Sequence, residues 1–338
     1  MAKLKNTKAL LVLGMHRSGT SALTGTLNLL GIHVGDSLIP ASEDVNPKGF
    51  WEHAGVVDLH ERLLASIGSS WSDERSLPQQ WWLLPEVQLF RQELVQMLEA
   101  DFAKVAVWAI KDPRMCRLMP LWHQVFEDLG CSPRVVIILR DPREVARSLA
   151  IRDGISEERS ALLWLQHLLN AEKWTRKYPR TIITFEGLLE NWRTAAERIE
   201  SELEMPLKYL DAEVQRRVDS FLEPTLRHHA FVGSSSGAVT KLALEVYRIL
   251  AELHDTERLE ASLEGVDCQA ASFERLVAPW SDEVQALRRE LYVRGVALEE
   301  LNYEVSRIKG TFSWRVTAPL RGMWNSLCKV FCNGVRRP

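Results

Sequence analysis

Glycine, hydroxyl and arginine side chains are concentrated in one short stretch, Gly14-Met-His-Arg-Ser-Gly-Thr-Ser21. Backbone N–H groups in a glycine-bounded turn of this kind converge on one point, where they can bind a phosphate-like anion. The spacing nearly matches the G-x-x-x-x-G-K-[ST] loop, but Thr20 stands at the lysine position. The cation comes earlier, as Arg17. The stretch therefore predicts an anion site with a displaced positive charge.

Two apolar segments must hold this loop in place. Residues 9–13 form an apolar run of strand length, and residues 22–30 carry apolar side chains at helical spacing. The loop is therefore expected to join the end of a first strand to the start of a helix. The positive end of that helix dipole would then point at a bound anion.

Cations also follow two later strand-like segments. Residues 105–110 precede Lys111-Asp-Pro-Arg114, and residues 134–139 precede Arg140-Asp-Pro-Arg143. Aspartate followed by proline is a strong helix start, with Asp as N-cap and Pro at the first helical position. Lys111 and Arg140 are therefore expected at the carboxyl ends of parallel strands, the edge at which open α/β sheets bind ligands.

The order of elements predicts an α/β fold. Strand-like and helical segments alternate, with a fourth strand at 181–185, as in a P-loop-like doubly wound parallel sheet with flanking helices and a C-terminal helical, coiled-coil extension. The assigned parts are the sheet domain at 1–232, a helical linker region at 233–279, a heptad-patterned coiled coil at 280–309 and a basic amphipathic tail at 310–338. The alternative for 280–309 is one amphipathic helix lying on its own domain.

Composition limits the class of protein. A net charge of −3 over 338 residues does not favour nucleic acid as a partner. The five cysteines include no C-x-x-C pair, and the histidines lack ligand spacing, so neither a disulfide framework nor a metal site is expected. No run approaches the ~18 apolar residues of a spanning helix. A cytoplasmic protein is predicted, with its basic tail touching the inner face of the membrane and its coiled coil forming a homo-oligomer.

The phosphate loop and the segment after residue 139 together resemble one enzyme family. Arg17-Ser-Gly-Thr-Ser21 resembles the 5′-phosphosulfate loop of sulfotransferases, which use 3′-phosphoadenosine 5′-phosphosulfate (PAPS). Arg140 and Ser148 have that family's R-x-x-x-x-x-x-x-S spacing, and residues 184–189 are also similar to it. The resemblance spans about residues 1–231. It implies PAPS as co-substrate, bound by Arg17, Ser18, Gly19, Thr20, Ser21, Arg140 and Ser148.

The resemblance does not identify which residue acts as the general base. Many sulfotransferases use a histidine after the second strand, but residues 112–114 contain none here. Relatives acting on glycans or protein tyrosine use a glutamate some tens of residues after the phosphate loop. Glu52 is therefore the first candidate, with Glu43 and Asp112 as alternatives. Arg17 and Lys111 complete the implied catalytic set, since they can meet the charge that develops on the transferred group.

Two further features favour a sugar as the acceptor. The tail contains Ser-Trp-Arg-x-Thr-x-Pro-Leu-Arg at 313–321, which resembles the tail of bacterial glycan-assembly enzymes. Loops expected beside the site carry Trp51, Trp71, Trp81 and Trp82, whose flat faces suit sugar rings, although lid packing explains tryptophan equally well. The acceptor is accordingly expected to be a hydroxyl or amine of a glycan.

Two other functions remain as alternatives. An ATP-dependent phosphotransferase needs the loop lysine and a strand-end acid for Mg²⁺, where this chain has Thr20 and Arg140. A non-catalytic scaffold for glycan assembly would act through residues 280–338 and would tolerate loss of the phosphate motifs. Binding of adenosine 3′,5′-bisphosphate rather than ATP separates all three.

Overall fold

A computed structural model describes residues 4–5, 7–42, 46–208, 211–222, 237–252, 256–310 and 316–317. In these residues the strands are β1 (Lys8–Leu13), β2 (Val107–Lys111), β3 (Arg134–Leu139) and β4 (Arg180–Thr184). The helices are α1 (Thr20–Leu29), α2 (Ala54–Ser66), α3 (Pro85–Phe102), α4 (Met115–Leu129), α5 (Pro142–Asp153), α6 (Glu157–Thr175), α7 (Phe185–Glu190), α8 (Trp192–Leu203), α9 (Ala212–Phe221), α10 (Ala238–Glu252) and α11 (Thr256–Gly310).

The four strands form one parallel sheet in the order β2-β1-β3-β4. Leu11 of β1 lies opposite Ile110 of β2 on one side and Val135 of β3 on the other. The predicted parallel sheet is therefore confirmed. Because the chain runs from β1 to one neighbour and later to the other, the carboxyl end of β1 lies at the switch point where such sheets bind ligands.

Helices cover both faces of the sheet, which explains the continuous apolar runs of the strands. Alternate residues of β1 point to opposite faces. Leu11 and Leu13 belong to a core shared with α2 to α6 and α10. Leu10 and Val12 belong to a second core shared with α1, α8 and α9. The sheet is thus doubly wound, with β1 buried between the two cores.

The two Asp-Pro-Arg segments start their helices differently. Asp141 caps α5 as predicted, and its carboxylate accepts a hydrogen bond of 2.9 Å from the Arg143 N–H. Asp112 does not cap α4, which begins only at Met115. The Asp112 carboxylate is buried and accepts from the Arg114 N–H at 3.0 Å, so it closes a turn ahead of the helix.

Between residues 238 and 310 the described chain is helical, and the chain divides into two units, Met1–Ser281 and Asp282–Pro338. Within the predicted linker region, α10 packs on α6 and contributes Leu242 and Val246 to the first core. The predicted coiled-coil segment, 280–309, lies within α11. Its pairing with another helix stays a prediction.

Most of the tail, 310–338, lies outside the described residues. Among the helices that are described, none combines the length and the apolar character needed to cross a membrane.

Candidate active site

A cavity of about 600 Å³ opens at the carboxyl edge of the sheet. The loop after β1 and the segment 46–52 form part of its wall, together with Arg114 and Arg140, which follow β2 and β3. Aromatic rings from Trp71, Phe185 and Phe221 complete it. The cavity therefore lies at the edge where the strand-end cations were expected.

Both glycines of the loop are required by close packing. A Cβ atom at Gly14 would lie 2.7 Å from the Ile138 carbonyl oxygen of β3. A Cβ atom at Gly19 would overlap the Phe185 ring, and Gly19 has a φ of +88°, a value that favours glycine. The loop can approach β3 and α7 this closely only without side chains at these two positions.

The loop presents hydrogen-bond donors that have no protein partner. Helix α1 begins at Thr20, and among the described residues no side chain caps its N-terminus. Its first backbone N–H groups therefore remain available at the positive end of the helix dipole. The buried Ser18 Oγ also has no hydrogen-bond partner within the described part of the chain. Buried polar groups without partners are costly, so a ligand that satisfies them would be stabilised here.

Three of the residues implied by the resemblance come together although two come from a distant segment. The Arg17 Nε donates to Ser148 Oγ at 2.8 Å, and Arg140 Nη1 donates to the Arg17 carbonyl oxygen at 3.1 Å. Arg17 and Arg140 line the cavity, whereas Ser148 is buried behind them. Their function in binding remains a prediction.

Arg140 is held on several sides. Its Nε donates to Glu144 Oε2 at 3.0 Å, and its guanidinium carbon lies 4.6 Å from the centre of the Phe185 ring. The remaining Nη2 is buried and has no hydrogen-bond partner in the segments that the structure describes. Arg140 is therefore fixed in orientation while one strong donor remains unsatisfied.

Arg17 adds positive charge to the cavity. It forms no ion pair with any described residue, since its side-chain partner is the neutral Ser148. Burial lowers the pKa of Arg17, and the neighbouring charges of Arg152 and Arg140 lower it further. The charge of Asp153, at the same cavity wall, opposes these shifts. Three arginines gathered around one partly buried carboxylate favour an anionic ligand.

Lys111 lies behind the cavity wall and donates hydrogen bonds to two side chains that line the cavity. Its ammonium donates to Glu52 Oε1 at 2.6 Å and to Ser21 Oγ at 3.1 Å. Ser21 in turn donates to the Phe50 carbonyl oxygen at 3.0 Å. Burial lowers the pKa of Lys111, while the Glu52 carboxylate opposes that shift. Glu52 and Ser21 line the cavity, and Lys111 orients both.

The three candidate bases have different surroundings. Glu52 is at the cavity wall. Asp112 is fully buried, and although burial favours its neutral form, the Arg114 charge and a 2.7 Å hydrogen bond from His60 hold the pKa of Asp112 well below its usual value. Glu43 lies outside the described residues. Of the two candidates that are described, Glu52 has the position from which a base could act.

Several cavity residues were not identified from the sequence. His16 lies with its ring 4.5 Å from the Trp71 ring, and burial together with Arg114 and His167 holds the pKa of His16 well below its usual value. These surroundings favour the neutral imidazole. Arg152 stacks 5.4 Å from the Trp71 ring. The one sequence signal for His16 is its position beside Arg17.

The four tryptophans divide between cavity walls and core packing. Trp71 lines the main cavity, and Trp51 lines an adjoining open cavity of about 800 Å³ that shares Lys48 and Phe221 with it. Trp81 is buried in the first core, and Trp82 packs edge-on against Trp174. Within the described part of the chain, no group of three or more His, Cys, Asp or Glu residues is arranged to hold a metal ion.

Comparisons with known proteins identify similar solved structures and no sequence relative. No protein-family model matches the chain, and no curated protein matches it. A sulfotransferase domain from the Synechococcus PCC 7002 olefin synthase is 16% identical, with a TM-score of 0.45, covering 72% of this chain and 95% of that domain. A sulfotransferase domain from the curacin biosynthetic pathway is 13% identical, with a TM-score of 0.43, covering 70% of this chain and 96% of that domain.

Proposed function

We propose that this protein is a sulfotransferase that moves a sulfuryl group from PAPS to a hydroxyl or amine acceptor. One observation carries the proposal: Arg17, Ser148 and Arg140 form a single hydrogen-bonded cluster at the edge of the sheet. Two loops that resemble separate phosphate-binding motifs are thereby joined in one cationic site. A nucleotide with phosphate groups at both its 3′ and 5′ positions suits such a site.

The unsatisfied donors of the site fit the two anionic ends of PAPS. Ser18 Oγ, the uncapped N–H groups of α1 and the Arg17 charge would hold the 5′-phosphosulfate. Arg140 Nη2 would hold the 3′-phosphate, and the Ser148 hydroxyl, buried behind the two arginines, would fix the Arg17 guanidinium by accepting its Nε–H. When bound, PAPS supplies the sulfuryl group, and adenosine 3′,5′-bisphosphate remains after transfer.

Glu52 is the proposed general base. An acceptor hydroxyl is a poor nucleophile until its proton leaves, and a carboxylate at the cavity wall can take that proton. Lys111 is proposed as a positioning residue, because its 2.6 Å bond fixes the direction of the Glu52 carboxylate. Through Ser21, the same ammonium also orients a hydroxyl of the anion loop.

Arg140→Ala tests the assignment of the 3′-phosphate. We expect it to weaken binding of adenosine 3′,5′-bisphosphate by about 10- to 100-fold, the value of one charge-assisted hydrogen bond. Affinity for 5′-AMP should change little, because that nucleotide lacks the 3′-phosphate. Isothermal titration calorimetry with both nucleotides measures the difference.

Arg143→Ala is the matched control for this test. Arg143 belongs to the same Asp-Pro-Arg turn but bonds to Asp141 and is not part of the cavity wall. It should leave both affinities unchanged. Equal losses for the two nucleotides in Arg140→Ala would contradict the 3′-phosphate assignment, and no binding of either by the wild-type chain would favour the scaffold alternative.

Transfer is expected to proceed unchanged in the presence of EDTA. Charge on the transferred group would be met by Arg17 and the loop amides, and Arg140 directly follows β3 where an ATP-dependent enzyme would place an acid for Mg²⁺. The measurement is the rate of sulfuryl transfer before and after chelation, with Mg²⁺ added back. Activity that EDTA abolishes and Mg²⁺ restores would instead support the ATP-dependent phosphotransferase.

A sugar of a cell-surface glycan is the proposed acceptor. The adjoining cavity is lined by Trp51 and by three cations against one carboxylate, namely Lys48, Arg216, Arg217 and Glu213. This excess of positive charge suits an acidic glycan chain. Contact of the basic tail, 310–338, with the cytoplasmic face of the membrane is part of the same proposal. Transfer of radiolabelled sulfate into polysaccharide supports it, and label found only in small lipid or protein products contradicts it.

A further inference from the structure

The second unit of the chain carries an apolar stripe along α11. Val284, Leu291, Leu298 and Val305 fall at heptad positions a, and Leu287, Arg294, Leu301 and Ile308 at positions d. Leu287, Leu298 and Leu301 are 52%, 58% and 61% exposed. In the single chain, three large apolar side chains on one face of the helix are therefore exposed to water. An exposed apolar face of this kind indicates a site at which another protein surface binds.

Charges beside the stripe indicate what that surface is. Positions g hold Glu283, Glu290 and Glu304, and positions e hold Arg288 and Lys309. In a parallel, in-register pair of helices, each g residue faces the e residue five positions further along the partner. Glu283 would then meet Arg288 of the partner subunit, and Glu304 would meet Lys309 of the partner subunit. Both ends of the stripe are therefore complementary to the same stripe of a second copy.

The opposite orientation is disfavoured by the same charges. An antiparallel pair brings g residues against g residues, so the glutamates of the two copies would face each other. Like charges at such positions destabilise the pair. The charges at positions e and g therefore favour a parallel orientation of the two helices as well as a second copy of this chain as the partner.

The residues of the seam bear on the number of strands. Val284 at a with Leu287 at d is the combination that favours a dimer, whereas the other layers of the seam carry no such preference. Arg294 interrupts the d positions, where a parallel, in-register pair brings the two copies of this residue together, and it pairs with Glu290 of its own helix. This polar layer lowers the stability of the pair, and a single polar layer in the seam limits the register and the number of strands.

We infer that residues 283–309 form a parallel, in-register, two-stranded coiled coil between two copies of this chain. The occupant of the apolar face is a second copy because the face complements itself in charge. This inference concerns assembly and does not depend on the proposed chemistry.

Sedimentation velocity on the full chain tests the stoichiometry. A species of twice the 38.6 kDa chain mass is expected at micromolar concentration. Glu283→Lys with Glu304→Lys should raise the dimer dissociation constant about tenfold or more, because both pairs become repulsive. Adding Arg288→Glu and Lys309→Glu should restore it. Glu299→Lys with Glu300→Lys, at outward positions b and c, is the control with the same charge change and should have no effect.

Disulfide cross-linking tests the orientation. In a background with serine at Cys268, Cys328 and Cys332, Leu301→Cys should form a covalent dimer on mild oxidation, because a d residue meets its own copy in a parallel pair. Glu299→Cys should not. Circular dichroism confirms that each variant keeps its helix. A monomer, a trimer, charge reversals without effect, or no cross-link through Leu301→Cys in a dimer would each overturn the inference.

Discussion

Glu52→Gln is expected to lower the rate of sulfuryl transfer by about 10²- to 10⁴-fold, the contribution of a positioned general base. Glutamine keeps the size of the side chain, and its amide oxygen can still accept from Lys111, so the wall should keep its shape. It cannot take a proton from the acceptor. Affinity for adenosine 3′,5′-bisphosphate should therefore stay within a few-fold of wild type. Single-turnover transfer with saturating PAPS measures the chemical step directly.

Glu61→Gln is the control for Glu52→Gln. Glu61 is a glutamate that also pairs with a cation near the site, Arg114, but it does not line the cavity. Glu61→Gln should therefore lower the rate of sulfuryl transfer only slightly. The proposal for Glu52 is wrong if Glu52→Gln stays within a few-fold of wild type while Glu43→Gln or Asp112→Asn is inactive.

Gly19→Ala is expected to weaken nucleotide binding by at least about 100-fold. The added methyl group would overlap the Phe185 ring, and the φ of +88° at this position is unfavourable for alanine. Phe185 supports the Arg140 guanidinium, so its displacement would move the proposed 3′-phosphate donor as well as the start of α1. Calorimetric titration with adenosine 3′,5′-bisphosphate, together with thermal unfolding, measures both consequences.

Gly154→Ala separates this steric effect from backbone strain. Gly154 has a φ of +67°, but no atom of the described residues lies within 4 Å of the position that its Cβ would occupy. The variant should lose about 1–2 kcal/mol of stability, the cost of a left-handed conformation, and keep its nucleotide affinity. If Gly19→Ala loses no more affinity than Gly154→Ala, the loop after β1 is not the anion site.

The sequence predicts those parts of the site whose position depends only on which residues directly follow a strand. Buried parallel strands appear as apolar runs, and the residue that ends each run must lie at one edge of the sheet. Lys111 and Arg140 could therefore be placed without knowing any tertiary contact. The glycine-bounded loop could be placed for the same reason, because it directly follows the first run.

The remaining features depend on contacts between distant segments. The role of Asp112 is set by His60 on α2, and the direction of the Lys111 side chain is set by Glu52, neither of which can be read from spacing. Apolar helix faces show the same limit. Both α10 and α11 have apolar side chains at helical spacing. Those of α10 pack into the core through Leu242 and Val246, whereas the leucines in the apolar stripe of α11 are exposed.

The strand order has a consequence for how the protein is made. β1 precedes both of its partners in the chain, so its first ladder cannot form until residues up to Lys111 have left the ribosome, and its second cannot form until residues up to Ile137 have done so. At a rate of synthesis of ~5–20 residues per second, β1 and the glycine loop that follows it remain without their strand partners for several seconds or more. Long-range pairing of this kind is slow and exposes the nascent chain to aggregation. Deletion of β1 (Lys8–Leu13) would remove a central strand of the sheet and leave β2 and β3 without the strand between them.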